Sequence, residues 1–374
     1  MTVSQDRSVD EISELVVDVD VHEGATVRDL LPYLSPHWQR YITEYNFVGP
    51  PNPKPYRPAT PMRQDRFPSD GGGAGSDLGL LRQQLLEDQG TSIAILNSTD
   101  LQFSTMESRY EFAIELAAAY NDYQVEHWLE REPRLRGSVQ VIAHDPIAAA
   151  REIDRIGPHP QIVQVLLPAI NERQYGDPMY RPIFEAALRN QLVIALHHGN
   201  ATRTVFGYPR YYIEWHSIAQ PHCMMAQLVS LVFNGTFDKY PDLKVVCLET
   251  GFSWLPHLMW RLDRQYLQHR EEVPWVLRKP SEHLRDNVLV GTQPMEGFSA
   301  HRFMQLVDMI GTDATLLFGS DYPHYDEDAT DDGLPHGLPA DTRRRVMGDN
   351  AINAFPKLAS LRHEIPEPKG TPAA

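Results

Sequence analysis

The stretch LVVDVDVHE, residues 15–23, is a short apolar run that ends in ionisable side chains. Further apolar runs of similar length follow it along the chain, and they have the β-branched content and flanking turn residues typical of buried strands. Amphipathic stretches with apolar residues at helical spacing separate these runs, for example 109–131, 182–190 and 227–237. The predicted strands are 15–21, 92–96, 138–143, 162–167, 192–196, 244–248, 287–290 and 315–318.

The alternation of strands and helices indicates the fold class. Continuous apolar strands separated by helices predict a parallel sheet that is covered by helices. Eight such strands suit an α/β fold of the (β/α)₈ TIM-barrel type, although periodicity alone also permits a doubly wound open sheet. We expect residues 1–374 to form a single domain of this kind.

One segment interrupts the rhythm directly after the first strand. Six prolines lie between Pro50 and Pro61, and the glycine run SDGGGAGSD follows at 69–77. Such a composition predicts irregular structure, so we interpret residues 25–77 as an insertion that serves as a lid or a partner-binding arm. A solvated loop is the alternative. At the other end, residues 364–374 are expected to form a flexible tail.

Composition excludes several classes of function. The chain has 34 basic and 50 acidic residues and a net charge of −16, which disfavours nucleic acid and anionic lipid as partners. No apolar run approaches the length of a membrane span, and the amino terminus does not resemble a signal peptide. The two cysteines, Cys223 and Cys247, lie in apolar surroundings, which favours a reducing cytoplasm over a disulfide framework.

Metal-capable side chains gather at the ends of the predicted strands, where barrel enzymes place their working groups. In strand one the period of two sends Asp18, Asp20 and His22 to the same side. Burying such groups is costly unless a charge compensates them, and a cation does so. A polar strand end open to water is the alternative.

Three other strands end in comparable residues. In strand five, Val193, Ala195 and His197 share one side, which makes His197 the inward candidate and leaves His198 a supporting position unless a bulge turns it inward. Strand six ends at Glu249, and strand eight leads into a turn that carries an acid and a histidine. The histidine of the turn is His324, and its acid is Asp321.

As a set, these motifs resemble the amidohydrolase superfamily, in particular the branch that includes aminocarboxymuconate-semialdehyde decarboxylase and the resorcylate-type decarboxylases. The matching motifs are DVDVHE at 18–23, LHHGN at 196–200, the block from Phe233 to Arg264, FGSDYPH at 318–324 and MGDNAINAF at 347–355. The resemblance implies that Asp20, His22, His197 and Asp321 hold a divalent metal ion.

The chain departs from the decarboxylase pattern at two positions, the first metal position and strand six, where Asp20 and Glu249 stand in place of residues more usual in the branch. Oxygen ligands shift the expected metal from zinc toward manganese or iron. Glu249 is expected to act as an acid or base, or to become a ligand itself and support a second metal. After strand five, His216 is a further candidate catalytic group, with a surface or core role as its alternative.

The expected function is that of a metal-dependent enzyme acting on a small carboxylated or carbonyl compound by hydrolysis or by non-oxidative decarboxylation. In the expected mechanism, Asp321 is a metal ligand and a proton acceptor, Glu249 is an acid or base, and His324 or His216 orients the substrate. Weaker substrate contacts are expected from His198 and from Trp254, whose main role we expect to be burial.

Two rival functions are compatible with the same residues. The acid-rich ligand set also suits a dinuclear iron or iron–manganese oxygenase. A non-catalytic partner subunit is the other rival, because fold alone does not establish activity. A homo-oligomer, or pairing with a homologous subunit, is expected from relatives of this kind rather than from a visible interface.

Overall fold

Eight parallel strands pair in chain order through the part of the chain that the computed structural model describes, residues 15–49, 62–98, 109–199 and 211–360. Backbone hydrogen bonds from Val19 N to Phe318 O, 3.0 Å, and from His22 N to Tyr322 O, 2.7 Å, join the last strand to the first. The predicted (β/α)₈ barrel is therefore confirmed, and the open sheet is excluded. The strands are β1 Val17–Val21, β2 Ile93–Leu96, β3 Leu135–Gln140, β4 Ile162–Pro168, β5 Val193–His197, β6 Val245–Cys247, β7 Val288–Gly291 and β8 Leu316–Leu317.

Seven predicted strands agree with the structure to within two residues at each end, and the third is displaced. Strand β3 occupies Leu135–Gln140, whereas the sequence predicted 138–143. The displacement arises at Gly137, which reads as a turn residue but lies inside the strand. A Cβ atom there would lie 2.3 Å from Oε1 of Gln124, so the glycine allows close packing of a helix against the strand.

The helices surround the barrel, and several match the predicted amphipathic stretches. The prediction of one helix over 227–237 is wrong, because a helix ends at Phe233 and Gly235 adopts φ +68° before a short new helix begins. The helices of the described residues are α1 Pro36–Glu44, α2 Leu78–Leu81, α3 Tyr110–His127, α4 Pro146–Ile156, α5 Arg181–Arg189, α6 Tyr212–Glu214, α7 Gln220–Phe233, α8 Thr236–Lys239, α9 Trp254–His269, α10 Pro280–Asn287, α11 Ala300–Ile310, α12 Ala340–Arg344, α13 Asn350–Ala354 and α14 Pro356–Ala359.

Shorter helical turns continue or link several of these helices. A π-helical turn, Trp215–Ala219, joins α6 to α7, and a second, Arg82–Asp88, continues α2. A third, Arg345–Asp349, lies between α12 and α13. The 3₁₀ turns are Leu31–Tyr33, Gln64–Arg66, Leu129–Arg131, Pro178–Tyr180 and Arg270–Glu272.

Side chains along β5 alternate between two buried clusters. Ile194 and Leu196 pack in the cluster that contains the surrounding helices, whereas Val193 and Ala195 belong to a second cluster formed mainly by other strands. His197 follows the second set by the period of two, which is the side that the alternation predicts.

The insertion is described for residues 25–49 and 62–77, and this part packs on the rim of the barrel. It contains α1 and the 3₁₀ turns Leu31–Tyr33 and Gln64–Arg66. Trp38 of α1 stacks on Phe112 of α3 with ring centroids 4.4 Å apart. Farther along, the backbone N–H of Arg63 donates to Pro323 O, and Met62 pairs with His324. Residues 50–61 and the predicted tail, 364–374, lie outside the described residues. Among the described residues, we find no helix that combines the length and the apolar character needed to cross a membrane.

Candidate metal centre

Four residues that the resemblance singled out as ligands meet at the carboxyl ends of the strands. We call Asp20, His22, His197 and Asp321 the primary cluster, and all four are buried. Nε2 of His22 lies 2.9 Å from Oδ1 of Asp321 and 3.6 Å from Oδ1 of Asp20. Donor atoms of Asp20, His22 and His197 lie within 4.8 Å of one another. The structure thus brings these candidates together.

The donor atoms of the primary cluster fit a divalent cation. Oδ2 of Asp20, Nε2 of His22, Nε2 of His197 and both oxygens of Asp321 are buried and lack a hydrogen-bond partner among the described residues. The short distance between Nε2 of His22 and Oδ1 of Asp321 is therefore not accompanied by the angles of a hydrogen bond. Adjacent ligands of an octahedral ion with bonds of about 2.1 Å lie about 3 Å apart, so this spacing is that of ligands around one ion.

Backbone interactions fix the positions of Asp20 and Asp321 in the primary cluster. The N–H of Asp321 donates to the carbonyl of Asp20 at 2.9 Å, which ties the turn after β8 to β1. Asp321 and Glu249 adopt positive φ angles of 62° and 52°, which is uncommon for residues other than glycine. Backbone strain of this kind costs free energy and persists only where the surrounding fold maintains it. Such strained residues are concentrated at functional sites.

Asn97, which sequence reasoning did not select, orients both predicted ligands from strand one. Its carbonyl accepts a hydrogen bond from Nδ1 of His22 at 2.5 Å, so Nδ1 carries the hydrogen and Nε2 is the atom that could bind a cation. Its side-chain amide donates to Oδ1 of Asp20 at 2.9 Å. The signal was available in principle, because Asn97 is the first residue after β2 and thus lies at the same end of the barrel.

A second group, which we call the Glu249 cluster, consists of His198, Glu249 and His216. Nε2 of His198 lies 2.8 Å from Oε2 of Glu249, and Nε2 of His216 lies 3.5 Å from Oε1. Gln220 also donates to Oε1 at 3.0 Å, and His216 lies 3.5 Å from Oδ2 of Asp326. Neither Gln220 nor Asp326 was predicted. The Glu249 cluster adjoins the primary cluster, because His197 is 2.9 Å from Oε2 of Glu249.

The pKa shifts follow from this concentration of buried charge. Burial raises the pKa of Asp20 to about 6, although His22 and His197 oppose the shift. Burial alone would lower the pKa of His22, but Asp321 and Asp20 outweigh it and raise that pKa to about 10. Burial also opposes ionisation of Glu249, yet its neighbouring histidines hold its pKa well below the usual range. The carboxylates therefore stabilise positive charge on the histidines, and the histidines stabilise negative charge on the carboxylates. A bound cation stabilises the negative charge of the carboxylates in the same way.

The remaining predicted residues lie close to these clusters. Nδ1 of His324 is 2.9 Å from Oδ1 of Asp321, and its ring centroid lies 5.0 Å from that of His22. Trp254 is half-buried and donates from Nε1 to the carbonyls of Thr250 and Gly251, both at 3.0 Å. It thereby braces the turn after Glu249, and contact with a substrate stays a prediction for Trp254, His324 and His198.

Comparisons with known proteins match these features. The amidohydrolase family model matches residues 17–357. A gamma-resorcylate decarboxylase of Polaromonas sp. (strain JS666 / ATCC BAA-500) is 26% identical over 290 residues, which cover 73% of this chain and 86% of that protein.

Two solved structures share the fold. The dihydroxybenzoic acid decarboxylase of Polaromonas sp. JS666, with bound manganese and the inhibitor 2-nitroresorcinol, is 20% identical with a TM-score of 0.68, covering 91% of this chain and 97% of that one. The 5-carboxyvanillate decarboxylase of Novosphingobium aromaticivorans, complexed with manganese and 4-hydroxy-3-methoxy-5-nitrobenzoic acid, is 17% identical with a TM-score of 0.66, covering 95% and 99%.

These matches confirm the resemblance that the sequence motifs indicated. The relatives are enzymes, so the prediction of an enzyme is confirmed over that of a non-catalytic subunit. The oxygenase alternative gains no support from them.

Proposed function

Because this chain belongs to the amidohydrolase family, we propose that it is a metal-dependent carboxy-lyase that removes CO₂ from a small hydroxylated aromatic carboxylate without oxidation. The observation that carries the proposal is the convergence of unpaired, buried donor atoms in the primary cluster. The choice of decarboxylation over hydrolysis is supported by two gamma-resorcylate decarboxylases, which are 26% and 25% identical to this chain.

Manganese is the metal that we propose. Two carboxylates and two imidazoles form a donor set that suits manganese or iron as well as zinc, and two solved structures with the same fold contain manganese. A divalent cation held by the primary cluster would supply positive charge that stabilises the carboxylate and phenolic oxygens of the substrate.

The reaction requires a proton at the carbon that loses CO₂. When the bond from the ring to the carboxylate breaks, the electron pair stays on the ring carbon, and a proton must replace the lost group. We assign this proton to Asp321 and His324, because Nδ1 of His324 lies 2.9 Å from Oδ1 of Asp321.

Other predicted roles are kept as part of the proposal. Glu249 and His216 remain acid–base candidates, although their contacts also permit metal binding. The insertion packs on the rim near His324, which supports a role as a lid. We further propose a homo-oligomer, or pairing with a homologous subunit, in the cytoplasm. Free thiols at Cys223 and Cys247 support a reducing compartment.

The proposal is tested by measuring CO₂ release from hydroxylated benzoates by metal-free and manganese-loaded protein. We expect release only with the metal, and we expect His197→Ala to lose both manganese and activity, because His197 is a buried donor of the primary cluster. His269→Ala is the control, since His269 is exposed on α9. Full manganese occupancy in His197→Ala would overturn the ligand assignment, and hydrolysis without CO₂ release would overturn the reaction.

A further inference from the structure

We propose that Gln140 binds a ring hydroxyl of the substrate, one that lies away from the primary cluster, and thereby determines which hydroxylated benzoates the site accepts. The inference rests on the proposed function, because it names a contact for the substrate class of that reaction. The observations that support it are the unpaired amide of Gln140, the register of β3 and the hydrogen bonds of the neighbouring side chains.

Both polar atoms of the Gln140 side chain are buried and unpaired. The residue is 0% exposed, and neither Oε1 nor Nε2 has a hydrogen-bond partner in the part of the chain that the structure describes. Burial of an amide is unfavourable unless a hydrogen bond compensates it, so nearly all buried amides in proteins are paired. A substrate hydroxyl suits this amide, because a hydroxyl can donate to Oε1 or accept from Nε2.

The side chain of Gln140 lies on the inner face of the barrel. Along β3, Leu135 and Val139 pack in the cluster that contains the surrounding helices. By the period of two, Ser138 and Gln140 therefore take the inner face. The hydroxyl of Ser138 accordingly donates to Oδ1 of Asn97 at 2.8 Å, inside the barrel. Gln140 is two residues farther along the strand, toward the end of the barrel where the primary cluster lies.

The register of the sheet places Gln140 at the height of the primary cluster. Counted through β2, Gln140 lies two residues above the level of His22. Counted through β4, it pairs with Leu166, which pairs with Ala195, so it lies two residues below the level of His197. The two counts bracket the cluster. Because the interior of an eight-stranded barrel is only wide enough for its side chains, the amide borders the space above the predicted ligands.

Neighbouring groups fix the strand but do not use the amide of Gln140. Nε2 of Gln164 donates to Oδ1 of Asn97 at 2.7 Å and to Oγ of Ser138 at 2.9 Å, which forms a network below Gln140. From the outer side, Asn121 donates to the carbonyl of Gln140 at 3.0 Å and accepts from its N–H at 2.8 Å. Within the described residues, the backbone is thus held while the side-chain amide is left to pair with a ligand.

The test compares substrates that differ by one hydroxyl. With manganese-loaded protein, kcat/KM is measured for 2-hydroxybenzoate and for each dihydroxybenzoate that carries one more hydroxyl, and dissociation constants are measured for the same compounds. The added hydroxyl changes the reactivity of the ring equally in wild type and variant, so a change in the ratio isolates the contact. In Gln140→Leu, we expect the ratio for at least one dihydroxybenzoate over 2-hydroxybenzoate to fall about 10-fold.

Stability separates a contact with the substrate from a structural role. Leucine is similar in size to glutamine and needs no hydrogen bond, so ligand-free Gln140→Leu should unfold at the same urea concentration as wild type or at a higher one. Gln227→Leu is the matched control. Gln227 is also buried, but its amide donates to the carbonyl of Ala169 at 2.7 Å and accepts from the N–H of Tyr175 at 2.8 Å. It should lose stability and keep the ratio.

The outcomes distinguish this inference from the proposed function. CO₂ release by wild type, with a ratio that Gln140→Leu leaves unchanged for every compound, would overturn the hydroxyl contact alone. An equal fall of the ratio in Gln227→Leu would overturn it as well. So would failure of both Gln140→Leu and Gln140→Met to fold, because the amide would then have a structural role. Dissociation constants that shift as expected, without CO₂ release from any compound, would overturn the reaction alone.

Discussion

Replacing Asn97 with alanine removes a side chain that connects the primary cluster to the interior of the barrel. Its amide nitrogen donates to Oδ1 of Asp20 at 2.9 Å and to the carbonyl oxygen of Val19 at 3.0 Å. Its amide oxygen accepts from the hydroxyl of Ser138 at 2.8 Å and from Nε2 of Gln164 at 2.7 Å. The hydrogen bond from Nδ1 of His22 to the backbone carbonyl of Asn97 is retained in the variant. The substitution therefore removes only the contacts that the Asn97 side chain makes.

Two effects follow, and their sizes can be estimated separately. The lost hydrogen bond to a carboxylate costs about 2 kcal/mol and each of the three neutral bonds about 1 kcal/mol, so the free energy of unfolding of the metal-free protein should fall by about 5 kcal/mol. Loss of a group that orients ligands lowers metal affinity by about 10-fold to 100-fold, which corresponds to about 1.4 to 2.7 kcal/mol.

The assay is manganese binding in competition with a fluorescent chelator, alongside urea unfolding of the metal-free protein. Asn121→Ala is the matched control, because Asn121 is equally buried and bonds Gln140 and Glu152 but none of the predicted ligands. We expect both variants to lose stability and only Asn97→Ala to lose affinity. Equal affinities in wild type and Asn97→Ala, or an equal loss in both variants, would refute the reasoning.

Two further substitutions test the surroundings of the site. In Gly75→Ala the new Cβ would lie 2.6 Å from the carbonyl oxygen of His22, so manganese affinity should fall. Gly71 has a similar positive φ but open space around it, so Gly71→Ala should leave the affinity unchanged. Equal manganese affinities in the two variants would contradict this role of the contact. Burial raises the pKa of Asp18 to about 7 from an ordinary 3.8, and hydrogen bonds from Ser320 offset only part of the shift. The folded, metal-free state therefore holds this proton more tightly than the unfolded state, and the contribution of Asp18 to stability should fall by about 3 kcal/mol between pH 5 and pH 8. Asp18→Asn should flatten that fall in urea unfolding, and an unchanged pH dependence would disprove the assignment.

The sequence was sufficient to predict the strands and most helices because their signals are local, whereas the choice of a barrel over an open sheet depended on the number of strands and on the family resemblance. Short apolar strands, helical periodicity and turn residues each depend on neighbouring positions, and the alternation along β5 placed His197 on the correct side. Gly137 shows where this reasoning fails. A glycine that allows a helix to approach a strand looks the same in the sequence as a glycine that forms a turn, and β3 was displaced as a result.

The site was predictable where ionisable residues end strands and not where neutral or distant groups complete it. Asn97 was missed because an asparagine after a strand is also a common turn residue. The approach of His216 to Glu249 depends on how the helices after β5 turn back over the barrel, which a single sequence does not specify. Asp326 was missed for a similar reason, since its contact with His216 joins two separate loops.

A single experiment tests the central claim most directly. Manganese-loaded protein is incubated with 2,6-dihydroxybenzoate in D₂O under strictly anaerobic conditions, and CO₂ and the aromatic product are quantified together. The account predicts equal amounts of CO₂ and of a phenol that carries deuterium at the carbon that lost its carboxylate, in the absence of oxygen. Turnover that occurs only when oxygen is supplied, or product formed without CO₂, would contradict it.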